Sequence, residues 1–209
     1  MADHAREIRD FWFGRLPLTA GRFEERMRFW FGGEEPEALR RQRDQTIAAR
    51  FEPLVAEAVQ GKLASWADSP RRRLSLIILL DQLPRNIYRG TPRAFAADQR
   101  ALALTLSGIQ SGADAALAAV ERLFFYMPLQ HAESLEAQDE SLAAFRRLAE
   151  EAPKELQPPL ATVLRFAEAH CSIIQRFGRF PHRNRILGRP TTPEEQAYLT
   201  SEGEAFGQS

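Results

Sequence analysis

Three segments of the chain combine histidine, arginine and carboxylate side chains, the groups with which proteins move protons and bind anions. In the first segment, Asp81 directly follows the apolar run from Leu74 to Leu80. A carboxylate in such surroundings is costly unless it is paired, and the nearest cations are Arg85 and Arg89. We therefore expect an ion pair at Asp81, with Arg85, Asn86 and Arg89 as candidate ligand-binding residues. The alternative is that this group only ties the end of a buried helix to its neighbours.

The second segment runs from Met127 to Glu133 and forms a break between two predicted helices. In extended backbone, His131 and Glu133 project from the same side, because side chains alternate along a strand. This spacing suits a histidine oriented by a carboxylate or, with His170, a metal site, although the compact spacing of a dedicated metal motif is missing. The simpler interpretation of Glu133 is that it stabilises the positive end of the following helix. The candidate catalytic residues are His131, His170, Asp81 and Glu133, and we predict neither a metal nor a cofactor.

The third segment, from Arg176 to Arg189, is strongly basic. Between Glu168 and Glu194 the chain has five arginines and no acidic residue. Gly178 permits left-handed backbone and Pro181 fixes its own torsion, and guanidinium groups held in such a shaped loop can bind carboxylate or phosphate bidentately. The candidate ligand-binding residues here are Arg176, Arg179, His182, Arg183 and Asn184. The alternative is that the arginines neutralise the acidic side chains of Glu133, Glu136, Asp139 and Glu140.

The elements that position these segments are all predicted to be helices. Apolar residues recur at three- and four-residue spacing, and alternating β-branched runs are missing. Pro53 interrupts one pattern, so we expect a kink or break near Phe51. The expected helices cover about 3–14, 21–31, 36–60, 69–80, 98–110, 113–126, 134–152, 159–177 and 193–203. The sequence predicts an all-α fold with one domain over 1–209 and antiparallel helical neighbours.

Composition restricts the class of protein. The formal net charge is zero, which argues against nucleic acid as a partner, although Phe177 and Phe180 interleave with arginines in a way that permits base stacking. Cys171 is the single cysteine, so no intramolecular disulfide forms. The run from Leu74 to Leu80 is far shorter than the roughly 20 residues that span a bilayer, and the first residues do not form an export signal. We expect a cytoplasmic protein with no membrane partner.

Three strings, LIILLDQLPRNIYRG, FYMPLQHAE and RFGRFPHRNRILGR, together with the N-terminal FWFG, resemble in order and spacing the bacterial domain-of-unknown-function family 924. The resemblance covers nearly the whole chain. It implies a tetratricopeptide-like stack of antiparallel helix pairs, which the periodicity alone only suggests, and it names no activity. The candidate residues that match the family's pattern are Asp81, Arg85, Asn86, His131, Glu133, His170, Arg176, Arg179, His182, Arg183 and Asn184.

The leading functional hypothesis is a concave pocket that binds a small anionic metabolite or a carboxylate-bearing chain end. Arg85, Arg176, Arg179 and Arg183 would hold the anion, and His131 and His170 would orient it or supply protons. One alternative is a tetratricopeptide-like protein-interaction module in which the polar cluster only stabilises the fold. Another is an enzyme that uses histidine as general acid or base. No glycine-rich phosphate loop, HExxH or GxSxG motif is present to name a reaction.

Overall fold

The computed structural model describes residues 3–32 and 35–201, which form ten α-helices and, within these ranges, no β-strand. The helices are α1 (His4–Phe13), α2 (Ala20–Phe31), α3 (Glu37–Val59), α4 (Pro70–Ile77), α5 (Leu83–Ile87), α6 (Asp98–Gln110), α7 (Ala119–Gln130), α8 (Leu135–Glu151), α9 (Gln157–Phe177) and α10 (Pro193–Ser201). Short 3-10 turns lie at Ala64–Asp68, Pro92–Ala94, Ala113–Ala116 and Pro181–Arg183. The all-α prediction is confirmed. No helix in the described ranges has both the length and the apolar character of a transmembrane span.

Two prolines lie inside helices where the sequence predicts breaks. Pro53 is contained in α3, and Pro128 is contained in α7, which continues to Gln130 instead of ending at Tyr126. The predicted break near Phe51 is therefore wrong. In α3 the buried residues continue at helical spacing across the proline, and in α7 every residue from Leu123 to Gln130 is buried. Tertiary packing of these faces outweighs the loss of one backbone hydrogen bond.

The central apolar run is buried as predicted, but it is not a uniform α-helix. Between α4 and α5 the chain forms a π turn at Ile78–Gln82, where the Leu83 N–H donates to the carbonyl of Ile78. Pro84, which has no N–H to donate, follows directly. The π turn shifts the hydrogen-bond register by one residue and therefore changes the direction in which Asp81 projects. Such turns occur frequently at functional sites.

Aromatic side chains hold the N-terminal helices against α7. The ring of Phe124 lies 4.6 Å from that of Trp30, 5.5 Å from that of Trp12 and 5.6 Å from that of Phe13, centroid to centroid. The indole N–H of Trp30 donates to the carbonyl of Trp12 at 2.8 Å. These edge-to-face contacts bury large apolar surfaces, so they fix the positions of α1 and α2 relative to α7.

Helices α7, α8 and α9 pack against their neighbours in the sequence, whereas α4 packs against several helices that are distant in the sequence. α8 packs between α7 and α9, as consecutive helices of a stack do, whereas α4 contacts α1, α6 and α7. Residues of all these helices except α9's C-terminal end share one hydrophobic core, and Ile173, Ile174, Phe180 and Tyr198 form a second, smaller cluster. The tetratricopeptide-like stack that the resemblance implies stays a prediction.

Gly108 of α6 provides a test of the α6–α7 contact. A Cβ atom at this position would lie 2.4 Å from Cζ of Phe125, so we expect Gly108→Ala to lower the free energy of unfolding by about 1–3 kcal/mol. Gly21→Ala in α2 is the matched control, because no heavy atom lies within 4 Å of its added Cβ. We expect this control to be neutral or stabilising by up to ~1 kcal/mol. Urea unfolding measures both, and equal stabilities of the two variants would contradict the contact.

Candidate functional site

Asp81 lies in the π turn with its side chain fully buried, and three side chains bind its carboxylate. Oδ1 accepts a hydrogen bond from Nδ1 of His131 at 2.7 Å and lies 3.2 Å from Nη1 of Arg85. The amide of Gln82 donates to Oδ2. Burial acts to raise the pKa of Asp81, but the charge of Arg85 and the contacts of His131 outweigh it and hold the pKa well below its usual range. The expected ion pair is present, and it includes a histidine.

Asp98, the first residue of α6, joins Arg85 to Arg183. Its two carboxylate oxygens accept hydrogen bonds from Arg85 at 2.9 Å each, and Nη1 of Arg183 lies 3.6 Å from Oδ2. Nη2 of Arg183 also donates to the carbonyl of His131 at 3.1 Å. The structure therefore brings Arg85, His131 and Arg183, one candidate residue from each segment, into a single cluster.

Arg183 has fewer acceptors than Arg85, although it is equally buried. Its guanidinium lies 4.8 Å from the ring centroid of Phe95 and 4.5 Å from that of Phe180. Its Nε is buried without a hydrogen-bond partner among the described residues. Burial, with the charge of Arg85 acting in the same direction, lowers the pKa of Arg183 to about 10. Arg183 is thus a desolvated cation that its neighbours neutralise incompletely.

The imidazole of His131 is held neutral with a defined tautomer. Burial lowers its pKa and the charge of Arg85 adds to the lowering, whereas Asp81 acts in the opposite direction. Because a carboxylate can only accept a hydrogen bond, we assign the ring proton to Nδ1. Nε2 then keeps its lone pair, and the side chain of His131 retains 14% exposure. This nitrogen is the group of the cluster that could accept a proton from a ligand.

Two further histidines lie around Phe180. Burial lowers the pKa of His170 to about 3, and burial together with the charge of Arg183 lowers that of His182 to about 3. The ring centroids of His170 and His182 lie 5.4 and 5.6 Å from that of Phe180, and the His131 ring lies 6.4 Å from that of His170. The three candidate histidines are therefore gathered in one region as neutral imidazoles.

Glu133 binds Phe180 and Arg189 instead of the N-terminal end of α8. Its Oε1 accepts from the backbone N–H of Phe180 at 2.8 Å, and the guanidinium of Arg189 contacts both oxygens at 2.6 and 3.0 Å. Burial acts to raise the pKa of Glu133, but the hydrogen bonds from Arg189 and Phe180 outweigh it and lower the pKa. The carboxylate that orients His131 is Asp81.

Arg176 and Arg179 both pair with carboxylates of α10. Arg179 donates to the two oxygens of Glu195 at 2.6 and 2.9 Å, and Arg176 donates to Glu194 at 3.0 Å. The side-chain amide of Asn184 donates to Glu195 at 3.1 Å. The hydrogen bonds from Arg179 are the largest cause that lowers the pKa of Glu195 to about 2. Of the acidic side chains that the alternative interpretation assigned, Glu133 does pair with an arginine of the segment, Arg189, whereas the partners of Arg176 and Arg179 come from α10.

The candidates Asn86 and Arg89 contact α3. Arg89 binds the carboxylate of Asp44 at 2.7 and 3.1 Å, and the amide of Asn86 donates to the same carboxylate at 2.9 Å. Both residues therefore belong to the contact between α3 and the end of α5. These hydrogen bonds hold the end of α5 against α3 and do not involve the imidazole of His131.

The metal-site alternative disagrees with the structure, and the base-stacking alternative disagrees with it at Phe180, whereas Phe177 is half-buried. In the part of the chain that the structure describes, no group of three His, Cys, Asp or Glu side chains could hold a metal ion, so the interpretation of His131, Glu133 and His170 as a metal site is wrong. Phe180 is completely buried, so its ring is inaccessible to a nucleic-acid base.

Comparisons with known proteins identify the family. A family model described as a bacterial protein of unknown function (DUF924) matches residues 8–203. The chain belongs to this family. A solved structure of a protein of unknown function from Agrobacterium tumefaciens is similar, with 35% sequence identity, a TM-score of 0.74 and coverage of 94% of this chain and 96% of that chain. No curated protein matches the chain. The resemblance found in the sequence strings is thus confirmed, and the DUF924 family brings no activity with it.

Sequence reasoning missed four residues that contact the candidate side chains. Asp98 is recognisable only as the start of a helix, and Phe95 precedes it in a short connection. Arg189 ends the basic string without being distinguished from the other arginines, and Glu195 is one of two adjacent glutamates. A usable signal exists for Asp98 alone, because a buried arginine such as Arg85 requires carboxylates near it.

The neutral histidines predict a pH dependence of stability. Because the pKa of His170 is about 3 in the folded chain and near 6.5 when unfolded, the unfolded chain takes up more protons and stability falls on acidification below about pH 6.5. We expect His170→Gln to reduce this fall by about 1 kcal/mol per pH unit between pH 6 and 5. Urea unfolding across this range measures the slopes, and parallel curves for wild type and His170→Gln would refute a buried neutral imidazole.

The two ion pairs of α10 predict unequal effects on stability. Arg179→Gln removes both charge-assisted hydrogen bonds from Glu195, whose side chain is only 3% exposed, so we expect a clear fall in the melting temperature. Arg176→Gln is the matched control, because Arg176 and Glu194 are both largely exposed and should contribute little. Thermal unfolding by circular dichroism measures both changes. A melting temperature for Arg179→Gln equal to that of Arg176→Gln would exclude a structural role for the Arg179 pair.

Proposed function

We propose that the cluster around His131 binds a small metabolite through an anionic group and that His131 exchanges a proton with it. The observation that carries this proposal is the 2.7 Å hydrogen bond between Nδ1 of His131 and the fully buried carboxylate of Asp81. A buried carboxylate that fixes the tautomer of a neutral histidine is the arrangement that general-base catalysis requires. The π turn that carries Asp81 is a second supporting feature, because it departs from the surrounding helix at this residue.

Arg183 is the residue best suited to hold the anionic group. Arg85 is already bound bidentately by Asp98, whereas the nearest oxygen of Asp98 lies 3.6 Å from Arg183. A ligand carboxylate or phosphate that reaches Arg183 would gain charge-assisted hydrogen bonds from a desolvated guanidinium. The side chains of His131 and Asp98 retain 14% and 17% exposure, so the cluster reaches the protein surface at these two residues.

The pairing of charges in the cluster favours a second candidate function. Asp81, Asp98, Glu133 and Glu195 each contact an arginine of the same chain, as they would if the cluster only fastened the C-terminal segment to the helices. The chain would then act as a helical protein-interaction module, and its polar cluster would not respond to small anions. The two candidate functions differ in whether a small anion stabilises the folded chain, which is directly measurable.

Ligand-induced stabilisation tests the proposal, with succinate and inorganic phosphate as probes. A ligand that binds only the folded chain raises the free energy of unfolding by about 2.7 kcal/mol at 100 times its dissociation constant. We expect at least one probe to raise the melting temperature of the wild type and to shift the Nε2 resonance of 15N-labelled His131. Arg183→Gln should lose the shift of the His131 resonance, because it removes the anion-binding group.

Arg147→Gln is the matched control, since it removes an exposed guanidinium on α8 and should respond as the wild type does. Absence of any response of the wild type to either anion would support the fastening role. An undiminished shift of the His131 resonance in Arg183→Gln would also exclude the proposed site. A response that moves the melting temperature but not the His131 resonance would place the anion elsewhere on the chain.

A further inference from the structure

A separate pocket lies at the opposite end of α7 from His131. Its volume is about 510 Å³, and its lining includes Ala118 and Glu121 at the start of α7 and Arg71 at the start of α4. α7 contains 12 residues and is therefore about 18 Å long at 1.5 Å per residue. The pocket is thus remote from the cluster of Asp81, His131 and Arg183, and its volume lies within the range of small-molecule sites.

The side chains of this pocket carry more positive than negative charge. Its lining contains four arginines, Arg6, Arg9, Arg15 and Arg71, against the two carboxylates Asp10 and Glu121. Arg6 contacts Asp10 at 3.4 Å, and both are largely exposed. Glu121 is buried, and its Oε2 accepts from the N–H of Ala118 at 3.0 Å, so this carboxylate caps α7. Within residues 3–32 and 35–201, the remaining three arginines form no ion pair with a carboxylate.

Arg9 is the most constrained of these arginines. Its Nη1 donates to the carbonyl of Ala5 at 3.2 Å, to the carbonyl of Arg71 at 3.1 Å and to the hydroxyl of Ser75 at 3.2 Å. These contacts all engage one nitrogen and fix the orientation of the guanidinium. Burial lowers the pKa of Arg9, and the charge of the buried Glu121 opposes this lowering without outweighing it. A guanidinium held in this way is preorganised for an anion.

We infer that this pocket binds a phosphorylated small molecule with two phosphate groups and an apolar part. The phosphates would bind Arg9, Arg15 and Arg71, since several unpaired guanidinium groups are best matched by a ligand with more than one negative charge. Leu16 and Pro17 form an apolar part of the lining against which the remainder of the ligand can pack. A nucleoside diphosphate has this chemistry and fits the volume of the pocket.

Isothermal titration calorimetry with ADP and with inorganic pyrophosphate tests the inference. We expect the wild-type chain to bind both, and ADP more tightly because of the apolar wall. The double variant Arg15→Gln/Arg71→Gln should bind both about 10-fold or more weakly, because it removes two charged hydrogen-bond donors at exposed positions. The choice of exposed arginines avoids the contacts through which Arg9 holds α1 against α4.

Arg146→Gln/Arg147→Gln on α8 is the matched control, because it removes the same charge from exposed positions outside the pocket and should bind as the wild type does. Arg183→Gln should keep the binding that the Arg15→Gln/Arg71→Gln variant loses, which separates this pocket from the cluster around His131. The inference is overturned if the wild type binds neither anion at millimolar concentration. It is equally overturned if the Arg15→Gln/Arg71→Gln variant binds them with unchanged affinity.

Discussion

The cluster of Asp81, Arg85, Asp98, His131 and Arg183 depends on one constraint, the buried carboxylate of Asp81. A charge removed from water at this depth is stable only with several partners, and those partners come from different elements. His131 lies at the end of α7, Arg85 lies in α5, and Asp98 at the start of α6 binds the same guanidinium. Since the removal of one partner from such a group strands a buried charge, the ends of these three helices are held together by a common requirement.

The segment from Arg176 to Arg189 contacts these helix ends through its arginines. Arg183 contacts Asp98 and the carbonyl of His131, and Arg189 binds Glu133. The backbone of Phe180 is held by the same glutamate, and its ring packs with Ile173, Ile174 and Tyr198, so an aromatic ring between arginines is buried instead of exposed. The positive charge concentrated in this stretch is thus met largely by carboxylates within the chain. A basic string in a sequence indicates a need for partners, and the fold decides whether those partners are internal.

Sequence reasoning predicts local structure here better than it predicts contacts between distant residues. Most helix boundaries and the burial of the run before Asp81 follow from spacing, capping residues and glycines, which are local properties, but α7 runs from Ala119 to Gln130 instead of the predicted 113–126. The continuation of α3 across Pro53 depends on packing that no local pattern contains. The choice of Asp98 as the partner of Arg85 and the gathering of arginines from α1 and α4 around one pocket likewise depend on tertiary packing. The histidines were recognisable as a group, but their shared neutral state arises from burial.

The electrostatics of the cluster determine whether His131 first accepts or first donates a proton. Burial and the charge of Arg85 both oppose protonation of the ring and outweigh the carboxylates of Asp81 and Asp98, which favour it, so the resting imidazole is neutral. A neutral histidine with Nδ1 bound to a carboxylate has only Nε2 available, and this nitrogen accepts a proton before it can donate one. An anion bound at Arg183 would offset part of the positive potential and make that protonation easier. The same ligand that the guanidinium recognises would therefore increase the basicity of His131, and proton acceptance would be coupled to the presence of the ligand.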